Sequence, residues 1–200
     1  MRLILQMSQK PDEHFINKVI QGEHNAYAVL VDRYKHMVFT LALKIVKNRE
    51  DAEEVAQDTF IKAYNALKDF KGESKFSTWL YKIAYYRSLD YLKRNKKQVE
   101  TTFIDISEEY NIATMDDALE GMELKERALI IKHAIQELPA DDAVLITLYY
   151  FEMLSMNEIS KVMEIPPNTI KVRLFRGRKR LAKILERILE QEIIHSYGRE

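Results

Sequence analysis

Along most of this chain apolar residues return every three or four positions, the period of a helix with one buried face. Leu124, Ala128, Ile131, Ile135 and Leu138 recur at intervals of 4, 3, 4 and 3 residues, which predicts a helix that Pro139 ends. A second starts at Asp141 or Asp142 and runs through Val144, Leu145, Leu148 and Tyr149. A third follows Ser155, which with Glu158 has the S-x-x-E form of a capping box, and turns Ile159, Val162 and Met163 inward. The turn Met163-Glu164-Ile165 leads to Pro166-Pro167 and a fourth helix, since proline is tolerated in a first turn.

The first half reads the same way. Phe15, Val19 and Ile20 mark a short helix over residues 12–21, ended by Gly22. Asn25 is expected to cap a second, whose wide stripe (Leu30, Val31, Tyr34, Val38, Leu41, Ala42, Ile45) predicts that it is mostly buried. A third covers residues 48–67. Asn48 is its N-cap, and Glu50, Asp51, Glu53 and Glu54 suit the positive end of the helix dipole. Ala52, Ala56, Thr59, Phe60, Ala63 and Leu67 form its inner face, while Glu54, Asp58, Ile61, Lys62 and Asn65 point outward. A loop with Gly72 and small polar residues separates it from a helix over residues 78–96. There Trp79, Leu80, Ile83, Ala84 and Tyr91 point inward and Lys82, Tyr85, Tyr86, Leu89 and Lys93 outward. Arg87 falls inside the apolar stripe of this wheel, which is therefore less clean. Residues 98–123 lose the period and gain acids, as a flexible linker does, with a short helix expected near 115–124.

Composition narrows this picture to an all-α fold of two small helical domains joined by a flexible acidic linker. With only 5 Gly and 4 Pro in 200 residues there is little to break helices. The absence of cysteine removes disulfides, thiol nucleophiles and Cys-based zinc sites, and fits a reducing cytoplasm. The apolar run in MRLILQM is too short for the core of a signal peptide. No segment approaches the roughly 20 apolar residues of a membrane span.

Net charge is zero, but its placement is uneven. Residues 82–97 hold six cations and one acid, residues 98–127 nine acids and two cations, and residues 161–187 nine cations and two acids. Two basic elements flanking an acidic connector suggest two surfaces for a polyanion. On the fourth helix of the second half, at about 100° per residue, Ile170, Leu174, Gly177, Leu181 and Ile188 share one face. Asn168, Val172, Phe175, Arg176, Lys179 and Lys183 lie roughly opposite. Charge alone suits a basic helix packed on its own domain or on a membrane as well as one bound to DNA. Val172 and Phe175 among cations on the solvent side favour DNA, where thymine methyls and base edges would meet them.

Other chemistry has less support. The pair Glu54 and Asp58, at i and i+4, suits a solvated face or the docking of a basic partner helix better than a metal. Tyrosines interleaved with cations on the helix over residues 78–96 suit single-stranded nucleic acid, and equally suit a small core that they merely cover. The five histidines form no H-x-x-x-H pair, the single E-x-x-H is Glu192 to His195, and no Gly-rich phosphate loop occurs, so nothing points to an enzyme or a cofactor.

These residues carry a family likeness. SMNEIS at 155–160 and PPNTIKVRLFRGR at 166–178 resemble the helix-turn-helix of region four of bacterial sigma factors. DAEEVAQDTFIKAY at 51–64 and FKGESKFSTWL at 70–80 resemble the polymerase-docking helix and the promoter-melting segment of region two. With only these two regions, over about residues 10–97 and 124–188, the chain resembles the extracytoplasmic-function (ECF) group of sigma factors.

The resemblance implies region two over residues 1–97, a linker over 98–123, region four as a four-helix domain over 124–190 and a tail over 191–200. It implies that Asp51, Glu54, Val55, Gln57, Asp58, Ile61, Lys62 and Asn65 dock on the coiled coil of the largest subunit of core RNA polymerase, whose flap is a further contact. Lys71, Gly72, Glu73, Ser74, Lys75, Phe76, Ser77, Trp79, Lys82, Tyr85, Tyr86 and Lys93 would meet −10 promoter DNA. Asn168, Thr169, Lys171, Val172, Arg173, Phe175, Arg176, Arg178 and Lys179 would meet the −35 element, with Val172, Phe175 and Arg176 best placed for bases. It further implies an anti-sigma factor as partner, no catalysis, no cofactor and no small-molecule substrate. The chain departs from the family pattern at Glu164, where glycine is common, and at Tyr85-Tyr86, where a polar or basic pair is usual. The rival reading is a transcription regulator with an N-terminal sensing domain, which leaves both region-two motifs unexplained.

Overall fold

The structure, a computed structural model, describes residues 11–95 and 124–197, and over these it is all helical. The expected linker lies outside the described residues. Eight α-helices follow in order: α1 (Asp12–Ile20), α2 (Tyr27–Val46), α3 (Arg49–Asn65), α4 (Phe76–Arg94), α5 (Leu124–Glu137), α6 (Ala140–Ile146), α7 (Met156–Met163) and α8 (Pro167–Tyr197). They form two compact units. One holds α1 to α4 together with residues 157–164, and the other holds α5, α6 and the chain from Ile165 onward.

In the first unit α2, α3 and α4 pack on one another and α1 packs on α2. Leu30, Leu41, Leu67 and Leu80 are fully buried between them, as is Phe15 from α1. Burial of four leucines and a phenylalanine, at about 1.5–3 kcal/mol each, is the main force holding these helices together. α1 is also held by charge. Asp12 pairs with Arg33 and accepts the Tyr34 hydroxyl at 2.5 Å. Burial, reinforced by this hydrogen bond, pushes the Tyr34 phenol well above its usual pKa.

The start of α3 follows the sequence reading: the Asn48 side chain accepts the Asp51 N–H at 3.0 Å. The start of α2 does not. A 3₁₀ turn over His24–Ala26 precedes it, and no side chain caps it, so Asn25 is not an N-cap. α4 begins at Phe76, ahead of the expected Thr78. Its untidy wheel has a physical cause: α4 packs against both α2 and α3, so more than one stripe is buried. Leu80, Tyr81, Ala84, Tyr85, Ser88 and Leu92 are all buried. The buried hydroxyls of Thr59 and Ser88 are satisfied by bonding back to the carbonyls of Val55 and Ala84, at 2.7 and 2.8 Å.

In the second unit α8 packs on α5 and α6. After α6 the expected helix does not simply continue. It widens into a π-helical turn over Thr147–Phe151, and Met153 follows with φ 53°. The turn leaves Tyr150, Phe151 and Met153 exposed, Met153 at 80%. α8 is a single helix from Pro167 to Tyr197. The short connection between α7 and α8 contains Glu164 at φ 55°, the left-handed conformation that a glycine adopts without cost.

Candidate nucleic-acid interface

The exposed face of α8 is built by the face opposite to it. Ile170 and Leu174 are buried at 0% and 2%, and Leu181 and Ile188 are buried further along, which fixes the rotation of the helix. Gly177 is buried as well and lies against Asp142 of α6. A Cβ there would sit 3.6 Å from Asp142 Cβ, an ordinary contact. Gly177→Ala is therefore expected to raise the stability of the second unit by about 0.5–1 kcal/mol, by removing a helix-interior glycine. A thermal melt followed by far-UV circular dichroism checks this.

With that rotation set, Asn168, Thr169, Lys171, Val172, Phe175 and Arg176 face solvent. Val172 is 49% and Phe175 46% exposed, so the apolar pair lies on the outer face as the wheel predicts. The Lys179 ammonium stands over the Phe175 ring, 4.9 Å from its centroid, a cation–π contact.

The nine cations are not equivalent. Arg180 is almost buried and pairs with Asp142, which is nearly buried too. Arg173 lies 3.6 Å from the Asp141 carboxylate, and Arg178 donates to the Tyr150 hydroxyl at 3.3 Å. These three arginines are turned toward the acids of α6 and the tyrosine of the π-helical turn after it. Lys171 and Arg176 stand on the open face beside Val172 and Phe175.

In the first unit, Glu54, Gln57, Ile61, Lys62 and Asn65 are exposed on α3, with Ile61 at 61%. Three expected members of that face differ. Val55 is buried at 2%, on the stripe that meets the core. Asp51 accepts the Tyr91 hydroxyl at 2.7 Å, and this bond pushes the Tyr91 phenol up to about 12. Asp58 pairs with Arg87. The charge that disturbed the α4 wheel thus has a partner on α3, as a cation inside an apolar stripe requires.

The segment from residue 71 to α4 divides similarly. Lys71, Gly72, Glu73 and Lys75 are exposed, with Ser74 and Ser77 half-buried. Gly72 has φ 72°, which a Cβ would strain. Phe76 is not a surface residue. It is 3% exposed and its ring lies 5.6–5.7 Å from those of Tyr34, Phe70 and Trp79. This aromatic cluster anchors the loop instead of presenting Phe76 to a ligand. Tyr85, expected outward, is also buried. Lys82, Trp79 and Tyr86 are half-buried, and Lys93 is exposed.

The sequence reading missed two features. One is the exposed group Tyr150, Phe151 and Met153, whose only signal was an apolar run overshooting the helical stripe. The other is the pair of links from α4 to α3, Arg87 to Asp58 and Tyr91 to Asp51. Among the described residues no group of three or more His, Asp or Glu gathers as a metal site, and no helix is long and apolar enough to cross a membrane.

Two family models match this chain, sigma-70 region 2 over residues 30–98 and sigma-70 region 4 over residues 128–181. The chain belongs to the sigma-70 family, in its ECF group, and is a sigma factor directing transcription initiation. It is similar to the RNA polymerase sigma-H factor of Pseudomonas aeruginosa, 33% identical over 92% of this chain and 99% of that one. It is also similar to the ECF RNA polymerase sigma-E factor of Escherichia coli (strain K12), 33% identical over 86% of this chain and 92% of that one. Its fold resembles that of CnrH, solved in complex with the cytosolic domain of CnrY, with TM-score 0.60, 22% identity and coverage of 88% and 97%. It also resembles the sigma factor RpoE of Bartonella quintana, solved with the anti-sigma factor NepR, with TM-score 0.59, 22% identity and coverage of 84% and 98%.

Proposed function

We propose that this sigma factor binds core RNA polymerase through the exposed face of α3 and opens the −10 element with residues 71–77 and the outer side of α4. Its α8 reads the −35 element as duplex. The observation that carries this reading is the exposed pair Val172 and Phe175, set between Lys171 and Arg176 on a helix whose opposite face is locked into the second unit. Phosphates are met by Lys171, and base edges and thymine methyls by Arg176, Val172 and Phe175. Arg173 and Arg178 already have partners on the folded side, so their share of phosphate binding is smaller. Tyr150, Phe151 and Met153 supply the second unit with an apolar surface for a protein partner such as the polymerase flap. Bond formation belongs to the polymerase, so the chain itself catalyses nothing. A cytoplasmic location and control by an anti-sigma factor go with this role.

Reconstitution tests it. With core polymerase the protein is expected to start transcription at a defined promoter, and alone to bind duplex weakly. Failure to bind core polymerase would refute the reading, and tight binding to a palindrome without polymerase would favour a regulator. Within α8, Phe175→Ala and Arg176→Ala are each expected to reduce discrimination between cognate and altered −35 sequences by about 1–3 kcal/mol. Lys171→Ala is expected to weaken all sequences alike and lower the salt slope by about one. Titrations at several salt concentrations distinguish the two outcomes, and uniform losses for all three variants remove the base-reading assignment.

A further inference from the structure

The residues that join α3 to α4 have a pattern of their own. Asp51 accepts from Tyr91, and Asp58 pairs with Arg87. On α3 these acids are seven residues apart, two turns along one stripe, and on α4 their partners are four apart and run in the opposite order. At about 1.5 Å per residue the spans are roughly 10 Å and 6 Å, and the long arginine side chain covers the difference. Around the two links both helices bury mostly small side chains, Ala52, Thr59 and Ala63 on α3 and Ala84 and Ser88 on α4, with Val55 the larger one between Asp51 and Asp58. Small residues let the backbones approach but interlock weakly, so apolar packing by itself leaves the helices freer to slide or rotate. Two directional polar links at separated points remove both freedoms.

The same two helices carry the surfaces assigned above. Glu54, Gln57 and Ile61 lie on the open side of α3, and α4 carries the exposed Lys93 with Lys82 and Tyr86, which are half-buried and meet Glu164. Tyr86 directly precedes Arg87, so any rotation of α4 moves the DNA-facing side chains relative to the docking face. We infer that Arg87 and Tyr91 are positioning residues that hold the promoter-melting helix in register on the polymerase-docking helix, and that Asp58 serves this internal link and not a contact with polymerase. The inference rests on the proposed roles of α3 and α4 and assigns residues that those roles leave out.

The test measures two quantities on full-length protein: affinity for core polymerase, and permanganate reactivity of −10 thymines at saturating polymerase. Arg87→Ala and Asp58→Ala are each expected to lower opening about tenfold while changing core affinity less than about threefold. Arg87→Lys, which keeps the charge, is expected to recover most of the loss, as is the exchange Asp58→Arg with Arg87→Asp. Tyr91→Phe removes a single hydroxyl, cannot unfold the unit, and is expected to reduce opening by a few-fold with helix content unchanged. A drop in core affinity for Asp58→Ala with opening intact at saturation would make Asp58 a docking residue and overturn the inference. So would unchanged opening in all the single variants, or a charge exchange no better than the worse single variant. A wild-type protein that neither binds core polymerase nor opens promoters would instead refute the underlying reading of α3 and α4.

Discussion

Asp142→Ala is expected to cost the second unit about 3–5 kcal/mol, toward the lower end of that range. The reason is the state in which it leaves Arg180. The side chains of Arg180 and Asp142 are 14% and 9% exposed, so both charges have given up most of their water and rely on each other. Removing the carboxylate strands a guanidinium in a nearly dry site, and the residual exposure sets the lower end. The pair itself is no great source of stability, because its Coulombic gain is offset by desolvation. Replacing Asp142 and Arg180 together by leucine is therefore expected to recover most of the loss. Urea unfolding separates this effect from damage elsewhere. The single tryptophan, Trp79, lies in the first unit, so its fluorescence follows that unit, while far-UV circular dichroism follows both. Asp142→Ala is expected to shift the circular dichroism transition and leave the Trp79 transition within about 0.5 kcal/mol. An equal shift in both would contradict the assignment of this pair to the second unit alone.

Phe15→Ala is expected to act on the other unit, by about 3–5 kcal/mol. Its ring is wholly buried, with the Arg33 guanidinium 5.5 Å above it. Truncation would remove the largest apolar group that α1 contributes and leave a cavity between α1 and its neighbours. The match to sigma-70 region 2 begins at residue 30, after α1. Its burial of Phe15, Ile16 and Val19 makes it part of the core. The Trp79 transition is expected to move to lower urea in Phe15→Ala. A change below about 1 kcal/mol would mean that α1 is only loosely attached.

Much of this was legible in the chain. The spacing of Leu124, Ala128, Ile131 and Ile135, the Asn48 cap and the prolines at 166 and 167 placed most helices within two residues of where they lie. The wheel of α8 was legible because that helix has one buried side: Ile170, Leu174 and Leu181 went inward and Val172 and Phe175 outward. α4 was not, since it is packed against two neighbours, and Tyr85, outward on the wheel, is buried. A wheel records the period of one helix and carries no information on how many helices surround it.

Local period, capping residues and motif order thus determined the helices, the family and the exposed face of α8, all properties of residues within a few turns of each other. The tertiary structure alone decided which charges are available. Asp58 is 29 residues from Arg87 and Asp142 is 38 from Arg180, and nothing local marks either pair. The energy of an ion pair depends on distance and burial in space, so a run of cations in sequence becomes, in the fold, some that brace the helix and others that stay on its open face.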